Sequence, residues 1–570
     1  MAKTFGGVTI DLPGVYTSAD VSAFTPPVAG GVVNIGVVGP AKGGEVNKVL
    51  KFRSFPEAVR TLKGGELLDL IRLMYQGGAG VVYAVRIAGS GITQASRSFG
   101  TLVIKARDYG TIGNTVQVGV SNGSSVGKKI VIVDSFANVT EVFDNLGPVF
   151  DIQYLGSGSS CTLTITVTDG NATTLSLVAK DSNGDIIPED SFSFDLTSVN
   201  YNTVAKLIAA ISQTGKYQAI RSPYLLDPEL PSRYLDAVSN QDVKTAKYTT
   251  TAVLGLCVYI VNKNSTVVTA EKASPTATQP PTNGNLGYLT GGQDGGTPTA
   301  ESFSQGLNLL SNQNVQIVCV ASGDSAVHSL VLTHVNTCSS ITGKRERIAF
   351  IGLDNPFATK ASYIAAALPF SNSYRMVMCA PGFYENIGGT LVARPSYYTA
   401  ALLAGMKAGL ALQQNITYKT VGVEGLTVSF TLSDIVDLVS SGITVVEEDE
   451  TGTYRVVRGI TTYRADENLA KKEISAVMVI DDISRTLRRA LENRYLGQAL
   501  TPSIQNDIAA TVGAVLDNYA RTGALVGNPP YRNIQVTVSN EEIRITYEAS
   551  PATVANYIFV SQIFVPAYGW

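Results

Sequence analysis

The sequence predicts an α/β chain that is split by a mostly β insertion and finished by an α+β segment. Three observations predict it. Residues 32–38 and 81–87 are apolar runs on either side of a helical stretch, the pattern of a parallel βαβ unit. Near residue 91 that pattern gives way to short alternating strands between Gly, Ser and Asn turns, and it resumes after residue 291. The end of the chain carries two amphipathic helices, an alternating hairpin and an apolar tail.

Taken in order, residues 1–27 read as an arm. Pro13-Gly14 opens a turn, Val15, Tyr16, Val21 and Phe24 supply apolar anchors, and Pro26-Pro27 closes the segment. A disordered leader is the competing reading, and the apolar residues favour docking. Residues 28–90 hold the βαβ unit. Leu67, Leu70, Ile71 and Met74 recur at helical spacing, and Gly77-Gly78 ends that helix before the second strand. A right-handed crossover is expected.

Residues 91–285 form the insertion. Residues 116–120, 129–133 and 162–167 alternate as strands, and one helix is read at 204–211. Residues 274–285, rich in Pro, Thr and Asn, lead out as a loop. Across 286–460 the α/β pattern returns, with helices at 303–310 and 325–338 and buried strands at 315–320, 348–351 and 376–379. The first unit and 286–460 therefore share one sheet. In 461–554 a long helix near 475–495 carries Ile480, Ile483, Leu487, Leu491 and Tyr495 on one stripe, with Arg485, Arg488, Arg489 and Glu492 on the other face. Thr501 is read as the cap of the next helix, with Pro502 at its first position. Ile534, Val536 and Val538 alternate opposite Ile543 and Ile545 around Ser539-Asn540.

Residues 555–570 are the arm at the other end. Tyr557, Ile558, Phe559, Val560, Ile563, Phe564 and Val565 make a strand apolar on both faces, which needs cover on both sides. Burial of each contributes roughly 1.5–3 kcal/mol, against about 1–2 kcal/mol per residue for ordering the backbone. Those terms nearly cancel, so the tail needs a pre-formed sheet edge. It either closes a sheet in its own domain or is donated to another subunit.

Composition narrows function. Of 570 residues, 45% are hydrophobic and 16% charged, with net charge −3, which excludes global disorder and gives no case for nucleic-acid binding through a basic surface. Five scattered cysteines without a CxxC pair suggest buried free thiols in a reducing compartment. The start lacks a signal-peptide core. The best membrane candidate, residues 397–412, is short and holds Lys407, so a buried small-residue helix is the better reading. These features predict a cytosolic chain with no membrane insertion.

The search for chemistry finds no catalytic residues, no cofactor site and no metal site. The glycine loops at 77–80 and 291–296 match neither dinucleotide nor P-loop spacing. His328 and His334, six apart on one helix, point to different faces. The acidic run Glu447–Glu450 reads as solvated hairpin charge, and Asp481-Asp482 point about 100° apart on a helix. The arginine face is either solvated or a docking surface for an acidic partner.

Several pieces, in order along the chain, resemble the contractile tail sheath proteins of bacteriophages, tailocins and related injection systems. They are Leu12-Pro13-Gly14-Val15-Tyr16, the stretch from Ile35 to Gly44, Leu289-Thr290-Gly291-Gly292-Gln293-Asp294-Gly295, Val457-Arg458-Gly459-Ile460-Thr461-Thr462-Tyr463, the helix at 474–495 and Gly523-Ala524-Leu525-Val526-Gly527. The resemblance implies a split subtilisin-like α/β domain, an inserted β-sandwich-type domain and a C-terminal α+β domain with donated terminal strands. It implies a structural subunit that polymerises around an inner tail tube, contracts, and meets baseplate and tail terminator proteins. In the family both arms are donated to neighbours, and the hairpin of Ile534, Val536, Val538, Ile543 and Ile545 is the expected acceptor. By the same analogy Arg485, Arg488 and Arg489 are candidates to face the tube. The protease motifs His-Gly-Thr-His and Gly-Thr-Ser-Met-Ala are missing, so no proteolysis is expected. A non-contractile fibre protein, or less favoured a hydrolase on the same scaffold, are the alternatives.

Overall fold

The computed structural model describes residues 3–5, 8–10, 33–501, 503–539 and 542–562. Its centre is an eight-stranded sheet with the spatial order Tyr454–Val456, Ile443–Glu448, Met376–Ala380, Ile348–Ile351, Ile317–Val320, Asn34–Gly39, Val81–Arg86, Val49–Phe52. The six inner strands run parallel and the two edge strands antiparallel. Strands from residues 34–86 and 317–456 thus form one sheet, although some 230 residues separate them in sequence.

Alternation along the inner strands divides the core into two layers. Ile35, Val37, Ile317 and Cys319 face one side, where helices Glu66–Gly77 and Ser396–Gly409 pack. Val38, Val318 and Val320 face the other, beneath helices Ala300–Leu310, Ser325–Cys338 and Leu432–Ser440. A three-layer α/β/α stack follows from strands apolar on both faces.

The helix Ser396–Gly409, from the stretch weighed as a membrane span, lies at the centre of the first layer. A Cβ on Gly405 would sit 2.3 Å from the Met74 carbonyl oxygen, so glycine permits the close crossing with Glu66–Gly77. Lys407 is fully buried and donates to the carbonyl oxygens of Ala411, Leu412 and Gln414, satisfying the chain beyond the helix end. Among the described residues no helix is long and apolar enough to cross a membrane.

Between Val81–Arg86 and Ala300–Leu310 the chain builds antiparallel sheets around a separate apolar core. Two are four-stranded, including the nine-register ladder between Ser160–Thr168 and Asn171–Lys180. A second helix, Val253–Asn264, is present there beside Val204–Gln213, whereas the sequence reading had only one. Its run of Val, Leu, Ile and Tyr is apolar almost all round, so helical periodicity is hidden by burial. Buried Lys63 pairs with Asp108 at 2.8 Å and Asp134 at 2.6 Å, tying this region to the α/β sheet.

The C-terminal helices Ile474–Tyr495 and Ile504–Arg521 share the first layer's core rather than forming a separate one. Two expectations change here. The second helix starts at Ile504 with Ser503, two residues beyond the expected cap Thr501, in the N-cap position and without a side-chain capping hydrogen bond, and Pro502 lies outside the described residues. Ile480, expected on the apolar stripe, is exposed, while Asp481 and Asp482 are buried.

Candidate assembly surface

Three features of the C-terminal region bear on function: a ribbon, an arm and a basic crevice. The ribbon pairs Tyr531–Ser539 with Glu542–Ala549, with Val536 opposite Ile545 and Val538 opposite Ile543. Ile534, Val536, Val538, Ile543 and Ile545 are half-buried on one face, packed toward helix Ile504–Arg521, while the alternate residues are exposed and polar. Among the described residues this sheet has two strands only, so both outer edges lack a strand partner. Such a ribbon is marginal alone, and the helix beneath it supplies the support.

The arm leaves the body at a buried joint. Ala552 donates to the Ala524 carbonyl, and Asn556 Nδ2 donates to Glu473 Oε1 at 3.0 Å. Glu473, fully buried ahead of the long helix, also receives Arg458 Nη2 at 2.9 Å and Asn415 Nδ2 at 2.7 Å. Beyond Asn556 the chain forms no helix or strand through Gln562, and Tyr557, Ile558, Phe559 and Val560 are 71–91% exposed. Tyr557 and Phe559 stack with ring centroids 6.3 Å apart, as expected for alternate residues on one side of an extended chain. Ile563, Phe564 and Val565 lie outside the described residues, as do Val15, Tyr16, Val21 and Phe24 of the other arm.

The three arginines of the long helix do not form one exposed face. Arg485 is buried, donating to the Glu346 carbonyl and pairing with Asp482 at 3.3 Å, so it cannot present its charge outward. Arg488 is half-buried against the Glu346 carboxylate, which it holds below its usual range despite opposing burial. Arg489 alone is exposed and without a hydrogen-bond or ion-pair partner among the described residues. Helical spacing alone misjudged Arg485, because the loop 343–347 packs over that face. The adjacent Asp481 pairs with Arg375, and Asp482 accepts from the Tyr519 hydroxyl at 2.7 Å. These carboxylates join the long helix to the sheet and to its neighbour.

Sequence reading missed the Glu473 joint and the basic loop Lys344-Arg345-Glu346-Arg347. The loop was visible as a charged run. Nothing local marks Asn556, whose partner is 83 residues away. The two histidines are buried and neutral: Arg347 Nη1 donates to His334 Nε2 at 3.1 Å, and burial, then the Arg347 charge, pulls the imidazole down to about 3. All five cysteines are buried free thiols, and among the described residues no group of His, Cys, Asp and Glu is arranged to hold a metal ion.

A body that exposes a contiguous apolar run at Tyr557–Val560 and carries an open-edged ribbon has the surface of an assembling structural protein. A family model described as the phage tail sheath protein central domain matches residues 296–462. The tail sheath protein of Bacillus phage SP01 is 30% identical over an alignment 578 positions long, covering 99% of this chain and 97% of that one. Among solved structures, a sheath tail protein from Listeria innocua superposes with TM-score 0.56 at 13% identity, covering 92% of this chain and 94% of that one. One from Desulfitobacterium hafniense gives TM-score 0.54 at 12% identity, over 95% and 100%. The chain belongs to the phage tail sheath protein family. Its role is that of a structural subunit of the tail sheath.

Proposed function

We propose that the chain polymerises helically around an inner tail tube by exchanging terminal strands, and that the polymer contracts to drive the tube through a cell envelope. The observation that carries this reading is the run Tyr557–Val560: four large apolar side chains in sequence, 71–91% exposed, immediately after an arm root fixed at Asn556. A neighbour's ribbon offers what the arm needs, an unpaired edge that would extend the apolar face of Ile534, Val536, Val538, Ile543 and Ile545 over helix Ile504–Arg521. Head-to-tail donation generates an open helix instead of a closed ring whenever its rotation does not close. The N-terminal arm of Val15, Tyr16, Val21 and Phe24 is assigned the second donated strand.

On this reading the domains run 1–27, 28–90 with 286–460, 91–285, 461–554 and 555–570. The split α/β part is subtilisin-like, the insertion is of β-sandwich type, and the chain has no enzymatic activity. Partners are further copies, the tube, the baseplate and the terminator, with assembly in the host cytoplasm and residence in the virion tail. Arg485, being buried, and Arg488, neutralised by Glu346, are poor carriers of a tube contact. Deleting residues 557–570 is the test. Soluble, folded subunits that form no tubes by negative-stain microscopy are expected, and normal sheath assembly by the truncated chain would refute the donated strand.

A further inference from the structure

A parallel sheet is polar: all its inner strands begin at one edge and end at the other. At the amino edge, residues 313–316 lead into Ile317–Val320 and residues 343–346 lead toward Ile348–Ile351. Together with the long helix they enclose a crevice of about 470 Å³ lined by Lys344, Arg345, Glu346, Arg488, Arg489 and Glu492 among others. Most of its charges are matched internally: Lys344 with Glu492 at 2.6 Å, and Arg488 with Glu346. Arg345 and Arg489 are left over. Both are exposed; Arg345 reaches only the Asn312 carbonyl oxygen, and neither has a carboxylate partner among the described residues.

At the carboxyl edge, the strand Ile443–Glu448 ends in the turn that returns as Tyr454–Val456. Arg455 neutralises Glu447 at 3.0 Å and Asp449 at 3.4 Å. Asp449 also accepts the Thr451 and Thr453 amides, which fixes the turn. The side chains of Glu448 and Glu450 are exposed with no ion pair or hydrogen bond among the described residues. Two unmatched cations thus sit at one edge of the sheet and two unmatched carboxylates at the opposite edge. One molecule cannot join them.

We propose that the Glu448–Glu450 turn of one subunit docks in the Arg345/Arg489 crevice of the next, making a second head-to-tail contact that is independent of the arms. The proposal rests on the polymer reading and names the partner of the crevice: a second copy of this chain, not the tube. The fixed turn arrives with its geometry set, so little ordering is lost on docking. Each surface remains free at one end of the row, so the contact propagates the polymer without closing it.

Cysteine pairing tests it directly, since the five native thiols are buried. In assembled tubes, the double variant Glu450→Cys/Arg489→Cys is expected to give an oxidative ladder of oligomers, and a mixture of the two single variants only dimers. A charge swap supplies a second readout. Arg489→Glu should raise the concentration needed for polymerisation about tenfold at low salt, and adding Glu450→Arg should restore it. Tubes that assemble normally without cross-links, or Arg489→Glu subunits that lose only co-assembly with the tube, would overturn this contact and leave the polymer reading intact. Unmodified subunits that never polymerise would overturn both.

Discussion

Replacing Tyr557 and Phe559 together by serine separates an arm that works between subunits from one that merely decorates its own. The two rings lie on one side of the chain, stacked and 71% and 91% exposed in the free subunit. Full burial of such side chains contributes roughly 1.5–3 kcal/mol each, so the pair still has about 3–5 kcal/mol to gain at a junction. The ordering cost of the arm is nearly the same with serine and cancels in the comparison. Each 1.4 kcal/mol is tenfold in an equilibrium constant, which puts the loss at about 100-fold or more per junction. Within the free subunit the same change touches little, and exposed substitutions usually shift stability by no more than about 0.5 kcal/mol. Sedimentation across a concentration series, with microscopy of the pellet, reads the first effect. Urea unfolding reads the second. Wild-type polymerisation by the double variant would refute the reasoning, and so would a subunit destabilised by several kcal/mol, since the rings would then belong to their own fold.

Other consequences concern the body that carries the arm. Gly405→Ala should destabilise the subunit by about 1–3 kcal/mol in urea unfolding, because the added Cβ meets the Met74 carbonyl at the helix crossing. Glu473→Ala leaves Arg458 and Asn415 without their shared carboxylate and is expected to cost about 3–5 kcal/mol by the same measurement. His334 is held neutral in the folded chain, with its imidazole at about 3, whereas in the unfolded chain it protonates near the ordinary value. The unfolded state therefore binds more protons between those values. Its contribution to stability is intact above pH ~6.5 and falls with pH below it, by about 2 kcal/mol at pH 5. His334→Gln, which keeps an acceptor for Arg347, should remove that part of the difference between urea unfolding at pH 7.5 and pH 5. An undiminished pH difference would show that other groups carry it.

Periodicity disclosed those elements that bury one stripe or both faces of a strand. The runs at 32–38 and 348–351 and the helix 325–338 were readable because apolar residues recur at the spacing of the element that buries them. Val253–Asn264 was not, since a segment covered on all sides carries no face to detect. Arg485 failed for a related reason. Helical spacing ranks faces relative to one another, but whether a charged face meets solvent depends on what packs over it, here a loop 139 residues away in sequence. The arm was legible in its composition, since four adjacent large apolar residues are unusual on any surface. Its root was not, because Asn556 gains meaning only from a buried carboxylate supplied by a distant helix start.

The same buried polar groups decide where a contracting lattice has freedom to bend. The C-terminal helices share an apolar core with the sheet, and Arg375–Asp481 and Glu346–Arg488 cross between them. The insertion is tied to the sheet through Lys63. Breaking a buried ion pair without replacing its partner costs about 3–5 kcal/mol, more than a surface junction between subunits gains from one exposed ion pair. Movement between lattice states therefore falls on the cheaper elements: the arm beyond Asn556, which has no tertiary hydrogen bond through Gln562 among the described residues, and the exposed charges of Arg345, Arg489, Glu448 and Glu450. If the proposed strand donation and crevice contact both hold, donated strands would keep subunits connected while the ionic contact is exchanged. Raising salt should then weaken the charge contact, which is screened beyond about 10 Å at 0.1 M, far more than the apolar arm. Sheaths held at high salt should change helical pitch before they release subunits, and release without any change of pitch would count against a division of labour between the two contacts.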